Sequence, residues 1–369
     1  MCFQFFISVS MIIATIVVFQ QLRFLNTADL GFDKENLMVI PVLDTTAKKS
    51  YPVLREEFLK IPGVEELSTA MFITGMGGAM DIMKVEDSGQ MVQQLIGLKF
   101  ITHHFSKLMG MKIIRGRDFD PENSTDAGQA VLINETAARE FGWEKDPIRR
   151  HIAESARYDR PYEVIGVVRD FHYAPLHEKI GPLVFFLRDE PQSNIHVRLS
   201  GQYSGKTIKM IEHAWKKILP DVPFSYVFLD EELEGVYLKE DKLKKLMGLF
   251  TLFSIFIALL GLFSLSSYLT EQYTREISIR KVFGASSWSV VYHLSKQYIA
   301  LVIIACILSM PVSWYLMKLW LENFAYRIDI QPWWFMITGL GVIILAECTV
   351  IYQSMKAANR NPSESLRHE

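Results

Sequence analysis

The sequence predicts a bundle of four transmembrane helices plus an extracytoplasmic α+β domain inserted between the first and second helix. Three observations predict it. Apolar runs fall at about 3 to 19, 246 to 268, 294 to 316 and 333 to 351, each close to the ~20 residues that cross a hydrocarbon core. A stretch of ordinary globular composition, about 20 to 245, separates the first two runs. The chain of 369 residues is 50% apolar and 22% charged, with a formal net charge of -2. That is too apolar for a soluble domain and too charged for a bundle alone.

Taken in order, residues 1–20 form the first span. FQFFISVSMIIATIVVF has no basic lead-in and no small-residue cleavage pattern, and it outruns the ~7–15 apolar residues of a secretory signal, so it reads as an uncleaved anchor. Met1 stands almost inside this helix, and the expectation is a fragment or the second half of something longer. The outer domain occupies 21–245, the second span 246–268, a cytoplasmic coupling helix 269–292 and the third span 293–317. An outer loop (318–332), the fourth span (333–352) and a cytoplasmic tail (353–369) complete the chain.

Orientation follows from basic residues in short loops. Arg275, Arg280 and Lys281 lie between spans two and three, with Lys296 at the start of span three, and Lys356, Arg360 and Arg367 lie in the tail. The connection before span four has only Lys318 and Arg327, offset by Glu322 and Asp329. Both termini are therefore expected inside and the large domain outside. Trp314, Trp320, Trp333 and Trp334 fall where an outer aromatic belt belongs.

Within the outer domain, LMVIPVL (37–43) reads as a strand, TAKKSYPVLREEFLKI as a helical stretch and PGVEELSTAMFI as a strand from Val64. The plan repeats in NIHVRL (194–199), the helix KTIKMIEHAWKKI and PDVPFSYVFL. Two β-α-β units of this kind make a ferredoxin-like layer. Between them, about 80–192, lies a strand-rich insert. Its strand candidates are LIGLKFI, KIIRGRDF, QAVLI, YEVIGVV and LVFFL, with short helices over HHFSKLMG and over NETAAREFGW, the latter capped by Asn134. The polar tips at 120–130 and 153–161 are weak candidates for partner contacts.

LSGQYSGKT (199–207) and YVFLDE (226–231) look like pieces of an ATP site. A phosphate loop needs four residues between its glycines ahead of Gly-Lys-Ser/Thr. Gly201 and Gly205 enclose three. The stretch is read instead as a strand-to-helix turn, with Asp230 as a helix N-cap after YVFL. No His-Glu-x-x-His set and no Gly-x-Ser-x-Gly elbow occurs; His172 and His177 are the nearest approach to a metal pair and suit a packing role. Cys2, Cys306 and Cys348 all fall in apolar spans, where they act as small hydrophobes. Glu347, in the fourth span, is either a polar contact inside the bundle or close enough to the cytoplasmic end to be solvated. The reading therefore carries no catalytic residue, cofactor, metal or nucleic-acid partner.

After the second span comes EQYTREISIRKVFGASSWSVV, 271–291. Glu271 with Arg275 and Glu276 with Arg280 pair at helical spacing, while Ile279, Val282 and Phe283 form an apolar face. Gly284 supplies a C-terminal stop, and Ser286 or Ser287 a cap for the next helix. One face of this short helix needs a partner: the inner leaflet, or a protein.

TREISIRKVFGAS is similar to the segment after the second span in ABC transporter permeases of the MacB and FtsX type. GMKIIRGRDF, VLINETAAREFGW, VIGVVRDFHYAPLHEKIGPLVFF and NPSESLRHE resemble the periplasmic core domain and tail of the same family, particularly half of its doubled, eight-span members. The resemblance implies a permease subunit driven by a separate cytosolic ABC ATPase. It places the contact with that ATPase at Glu276, Ile279, Arg280, Lys281, Gly284 and Ala285. It implies a second permease half or a homodimer mate, a periplasmic or outer-membrane partner, contact with membrane lipid, and residence in the bacterial inner membrane. In this mechanotransmission reading the continuous helical stretch EGVYLKEDKLKKLMGLF carries motion to the outer domain, in efflux, export or lipoprotein handling. The rival class is a transmembrane sensor or regulator, including a regulator of a cell-wall hydrolase; a membrane-bound hydrolase would need a nucleophile or metal set that the sequence does not display.

Overall fold

The computed structural model describes residues 2–87, 89–154, 161–201, 205–272 and 287–358. These form two compact units, residues 28–238 and residues 1–27 with 239–369.

The outer unit is built on β1 (Leu37–Pro41), β2 (Val64–Ala70), β10 (Asn194–Leu199) and β11 (Val227–Phe228). They pair in the order β11-β1-β10-β2, every neighbour antiparallel. The crossovers β1 to β2, through α2 (Thr45–Lys49) and α3 (Tyr51–Leu59), and β10 to β11, through α6 (Gly205–Ile218), each skip one strand. This is the ferredoxin-like pattern the repeated sequence plan predicts. Strand residues alternate between faces. Met38, Ile40, Ile195 and Val197 meet Leu54, Phe58, Ile211 and Trp215 of the helix layer, all fully buried. Each such side chain contributes roughly 1.5–3 kcal/mol by leaving water, and the Trp215 indole donates to the Val222 carbonyl at 2.9 Å.

The insert runs through β3 (Ala79–Asp87), β4 (Gln90–Ile101), α4 (Phe105–Leu108), β5 (Ile113–Gly116), β6 (Ala130–Asn134), α5 (Glu135–Glu140), β7 (His151–Glu154), β8 (Tyr162–Val168) and β9 (Leu183–Leu187). Six of these strands follow one another as β4-β3-β7-β8-β6-β9, and β9 pairs back onto β4 in parallel, so the ring closes. Met83, Ile96, Val131, Ile152, Val164 and Phe186, one from each ring strand, fill the inside. The opposite faces of β4, β6 and β9 pack Ile101, Leu132 and Phe185 towards Leu37, Val39 and Ala70 of the ferredoxin-like sheet.

The family-like phrases of the sequence interlock here. Asn134 caps α5 through Ala137 N–H (2.9 Å), accepts from Leu183 N–H (2.9 Å) and donates to the Gly181 carbonyl (2.9 Å). In VIGVVRDF, Asp170 accepts from the backbone N–H and hydroxyl of Thr136, while Glu135 accepts from Asp170 N–H. Arg117 holds the buried Asp126 in a two-pronged pair at 2.6 and 2.7 Å, which keeps that carboxyl below its ordinary pKa and pins the loop 120–130. Gly116 is obligatory for a steric reason: its φ is +71°, and a Cβ would collide with the Ile165 carbonyl.

Four expectations need correcting. TAKKSYPVLREEFLKI is two helices, because Asp44 caps the first and Pro52 near the start of the second has no N–H to continue it. The strand expected over YVFL shrinks to Val227–Phe228. Asp230 is not an N-cap: Phe228 takes that position and Asp230 lies in the first turn of α7 (Leu229–Val236). The helical stretch EGVYLKEDKLKKLMGLF is interrupted at Tyr237, whose hydroxyl accepts from Leu176 N–H at 3.0 Å and whose ring stacks on His177 at 5.7 Å.

The membrane unit contains α1 (Cys2–Thr27), α8 (Leu238–Gln272, of which Leu238 belongs to the outer unit), α9 (Ser287–Leu321) and α10 (Pro332–Ala358). Four segments within them are long and apolar enough to cross a membrane: Cys2–Leu25, Asp241–Tyr268, Ile299–Leu321 and Pro332–Gln353.

Candidate functional site

The candidate site is the segment between α8 and α9. Glu276, Ile279, Arg280, Lys281, Gly284 and Ala285 all lie outside the described residues. The helices leading into and out of the segment are described, and each is 35 residues long, about 50 Å at 1.5 Å per residue.

Their surroundings differ. Phe5, Val9, Ile13 and Val17 of α1 pack with Val302, Ala305 and Cys306 of α9 and with Val342, Ala346 and Val350 of α10. α8 adds Ala258 and Leu262 to this core. It is otherwise tied to α1 by hydroxyl pairs, Ser8 with Ser254 at 2.8 Å and Thr15 with Thr251 at 2.7 Å. Such bonds offset the cost of a polar group in hydrocarbon. Gly261 faces α1, where a Cβ would lie 2.7 Å from Oε1 at the tip of the Gln4 side chain. Phe250, Phe253, Phe256 and Phe263 line an exposed face of α8. Glu347 is half-buried on α10.

The ATP-like phrases are structural in this fold. Gly201 lies in the turn after β10, and Gly205 opens α6. Thr207, where a phosphate loop would place its metal-binding hydroxyl, is buried and donates to the Pro62 carbonyl at 3.4 Å. His172 lines an open cleft of about 480 Å³ with Asp29, Asp33, Lys112, Arg169 and Asp170; burial lowers its pKa. Among the described residues no group of three His, Cys, Asp or Glu side chains could hold a metal.

The unusual electrostatics sit where the ferredoxin-like sheet meets the ring, a feature that sequence reading missed. Lys99 on β4 is 2% exposed, its ammonium has no hydrogen-bond partner, and it lies over the Phe105 ring, 5.7 Å from the centroid. Burial pushes its pKa down to about 7. His196 on β10 is also fully buried, with Nε2 unpartnered, and its pKa falls to about 3 through burial and the nearby Lys99. Beside them Ser68, Thr69 and Thr102 bond to one another at 3.1 Å. A lysine inside an otherwise apolar strand pattern was the only signal available.

Four helices long and apolar enough to cross a membrane, with a separate α+β unit, are the architecture of a multi-pass membrane protein carrying one large domain outside the membrane. The MacB-like periplasmic core domain matches residues 5–209, more than half of the chain, and the FtsX-like permease C-terminal domain matches residues 248–362. The chain belongs to this permease family, as the sequence resemblance implies. Among solved structures, it is similar to the periplasmic region of MacB from Actinobacillus actinomycetemcomitans, with 14% identity over 57% of this chain and 97% of that one, at a TM-score of 0.40. A domain of a putative permease protein from Porphyromonas gingivalis shows 16% identity, 53% and 90% coverage and a TM-score of 0.37. The extracellular domain of the noncanonic ABC-type transporter YknZ from Gram-positive bacteria shows 14%, 52% and 97%, and 0.34. No curated protein matches the chain.

Proposed function

We propose that this chain is the permease subunit of an ABC transporter of the bacterial inner membrane, with residues 28–238 in the periplasm. A separate cytosolic ATPase docks on the coupling segment 269–292 and supplies the energy; this chain hydrolyses nothing itself. The observation that carries the reading is the charge-paired, one-faced segment TREISIRKVFGAS set between two long apolar helices. Ile279, Gly284 and Ala285 offer the apolar and close-approach surface, while Glu276, Arg280 and Lys281 give the charge pattern that selects the partner. Movement of the segment acts on α8, which joins the outer domain after a single non-helical residue, Tyr237. With only Gly248 and Gly261 inside it and no proline, α8 resists bending. A second permease half or a second copy of this chain completes the transporter, and handling of a substrate in the periplasm follows from motion of the outer domain.

The test is co-purification. The chain is tagged in its native cell, solubilised gently and purified with and without Arg280→Glu, and the associated proteins are identified by mass spectrometry. An ABC ATPase accompanies the unchanged chain and is reduced at least about tenfold by the reversal, since opposing like charges at an interface cost several kcal/mol. Folded protein that brings no ATPase in either form would refute the docking.

A further inference from the structure

β4 has an open side. β3 covers one side of it from Gln90 to Leu98, but β9 begins to pair on the other side only at Gly97. Among the described residues, no strand and no backbone hydrogen bond reaches that side of Gln90–Ile96. The direction of the free groups is fixed by their neighbours. Gly97 N–H donates to the Pro182 carbonyl on the β9 side at 2.9 Å, and Arg188 N–H donates to the Ile101 carbonyl on that same side at 2.8 Å. Backbone groups alternate with a period of two, so Met91, Gln93 and Leu95 turn their N–H and C=O groups outwards along this edge.

Natural sheets protect such edges with charge, proline or a bulge. This one has none of them: QMVQQLI, residues 90–96, contains no charged residue, no proline and no glycine. Apolar side chains stand exposed alongside it, Leu95 at 56% and Met91 at 37%, with Ile82 and Met80 of β3 continuing the same face. An uncharged open edge beside exposed apolar side chains is the surface that strand addition requires.

We infer that this edge pairs with the same edge of a second copy of the chain, antiparallel and centred on Gln93. The register makes the edge complementary to itself. Leu95 of one copy then lies opposite Met91 of the other, apolar against apolar, and Gln93 faces Gln93, where two amides hydrogen-bond. All three pairs fall on residues whose backbone groups point across the junction, so each closes two ladder bonds. A two-fold axis through Gln93 generates the second half of the contact from the first, as an isologous dimer interface demands. Two rings would thereby share one sheet. Confinement of both copies to one membrane raises their effective concentration, which lets a short strand pair suffice.

The experiment uses the full chain in its own membranes, with Cys2, Cys306 and Cys348 replaced by serine. Gln93→Cys is oxidised under mild conditions and compared with Val53→Cys, an exposed position on α3. Residues in a hydrogen-bonded antiparallel pair sit ~5.5 Å apart, inside the disulfide range, so the Gln93 variant should give about tenfold more cross-linked dimer than the control. Co-expressed Met91→Cys and Leu95→Cys chains should cross-link to each other as readily, which fixes the register. The unoxidised variants are first shown to be monodisperse and protease-resistant like the parent, and hydrogen exchange at 91–95 in the cysteine-free chain, slower at high than at low protein-to-lipid ratio, reads the same contact without an added thiol. Dimer no more abundant than the control, or a Gln93 adduct with a different protein, overturns the proposal. The cross-link needs neither nucleotide nor an ATPase, so its outcome is separate from that of the co-purification.

Discussion

The ring of the outer domain and the helix α8 are held by opposite means. Every ring strand carries a buried apolar residue into one shared interior, and the turns are fastened by groups with several bonds each, such as Asn134 and Asp126. In α8 only 17% of the membrane-crossing window is buried, against 39% in α1. Among the described residues its ties to α1 are two hydroxyl pairs that also reach backbone carbonyls, a glycine contact, Lys244 over the Phe19 ring and the shared core residues Ala258 and Leu262. A densely fastened body moves as a unit, whereas a weakly packed helix has little to unmake when it shifts. The contrast supports the proposed transmission of motion by setting a densely fastened outer domain against a sparsely packed helix.

Three substitutions sharpen that contrast, and the largest effect lies in the outer domain. Lys99→Met should stabilise it. The ammonium titrates at about 7 in the fold against an ordinary 10.5. Between those values the unfolded chain holds the proton and the folded chain does not, so outer-domain stability rises as pH climbs from 7 to 10.5, and below 7 the full penalty persists. Removing the amine should gain on the order of 4 kcal/mol at pH 7 and abolish the slope. Denaturant unfolding followed across pH 6 to 11 checks both. A flat profile in the parent would show that Lys99 is not held as described.

Next in size is Asn134→Ala. It removes the cap of α5 and leaves the buried Leu183 N–H and the Gly181 carbonyl without their partner, a loss of roughly 2–3 kcal/mol. Hydrogen exchange should speed up in α5 and β9 together, since one side chain holds both. The smallest effect is expected from Ser254→Ala in α8, about 0.6 kcal/mol, the usual size of a hydrogen bond between membrane helices. Refolding equilibria in mixed micelles measure it. If this change cost more than Asn134→Ala, the ranking of a fastened domain above a loose helix would fail.

Much of this architecture was legible in the sequence, for physical reasons. Long apolar runs report on the membrane directly, and four long apolar helices follow them. IPGVEELS and LPDVPFSY mark the helix-to-strand turns of the two β-α-β halves, and those halves pair as expected. The hairpin strand β3 was hidden because AMDIMKVED exposes Met80 and Ile82 while burying Met83 and Val85, which blurs the alternation. Closure of the ring rests on β4–β9 and β6–β9, pairings between distant segments that no local pattern records. The break at Tyr237 has no proline to announce it; it coincides with contacts to Leu176 and His177, some 60 residues away. Of the candidate site, the sequence displays the charge spacing and the apolar face of the coupling segment, and the proposed roles of its residues rest on that pattern together with the family to which the chain belongs.

The central claim is that α8 carries motion from the coupling segment to the outer domain, and a flexible Gly-Ser insertion after Lys244 tests it. Spin labels are placed at Val53→Cys on the outer domain and Glu322→Cys in the outer loop, in a chain whose other cysteines are serine, reconstituted with the ABC ATPase that the co-purification is expected to recover. Addition of a non-hydrolysable nucleotide should shift the label-to-label distance in the parent and leave it unchanged in the insertion variant, with ATPase binding retained in both. A shift of equal size in the insertion variant would contradict the account.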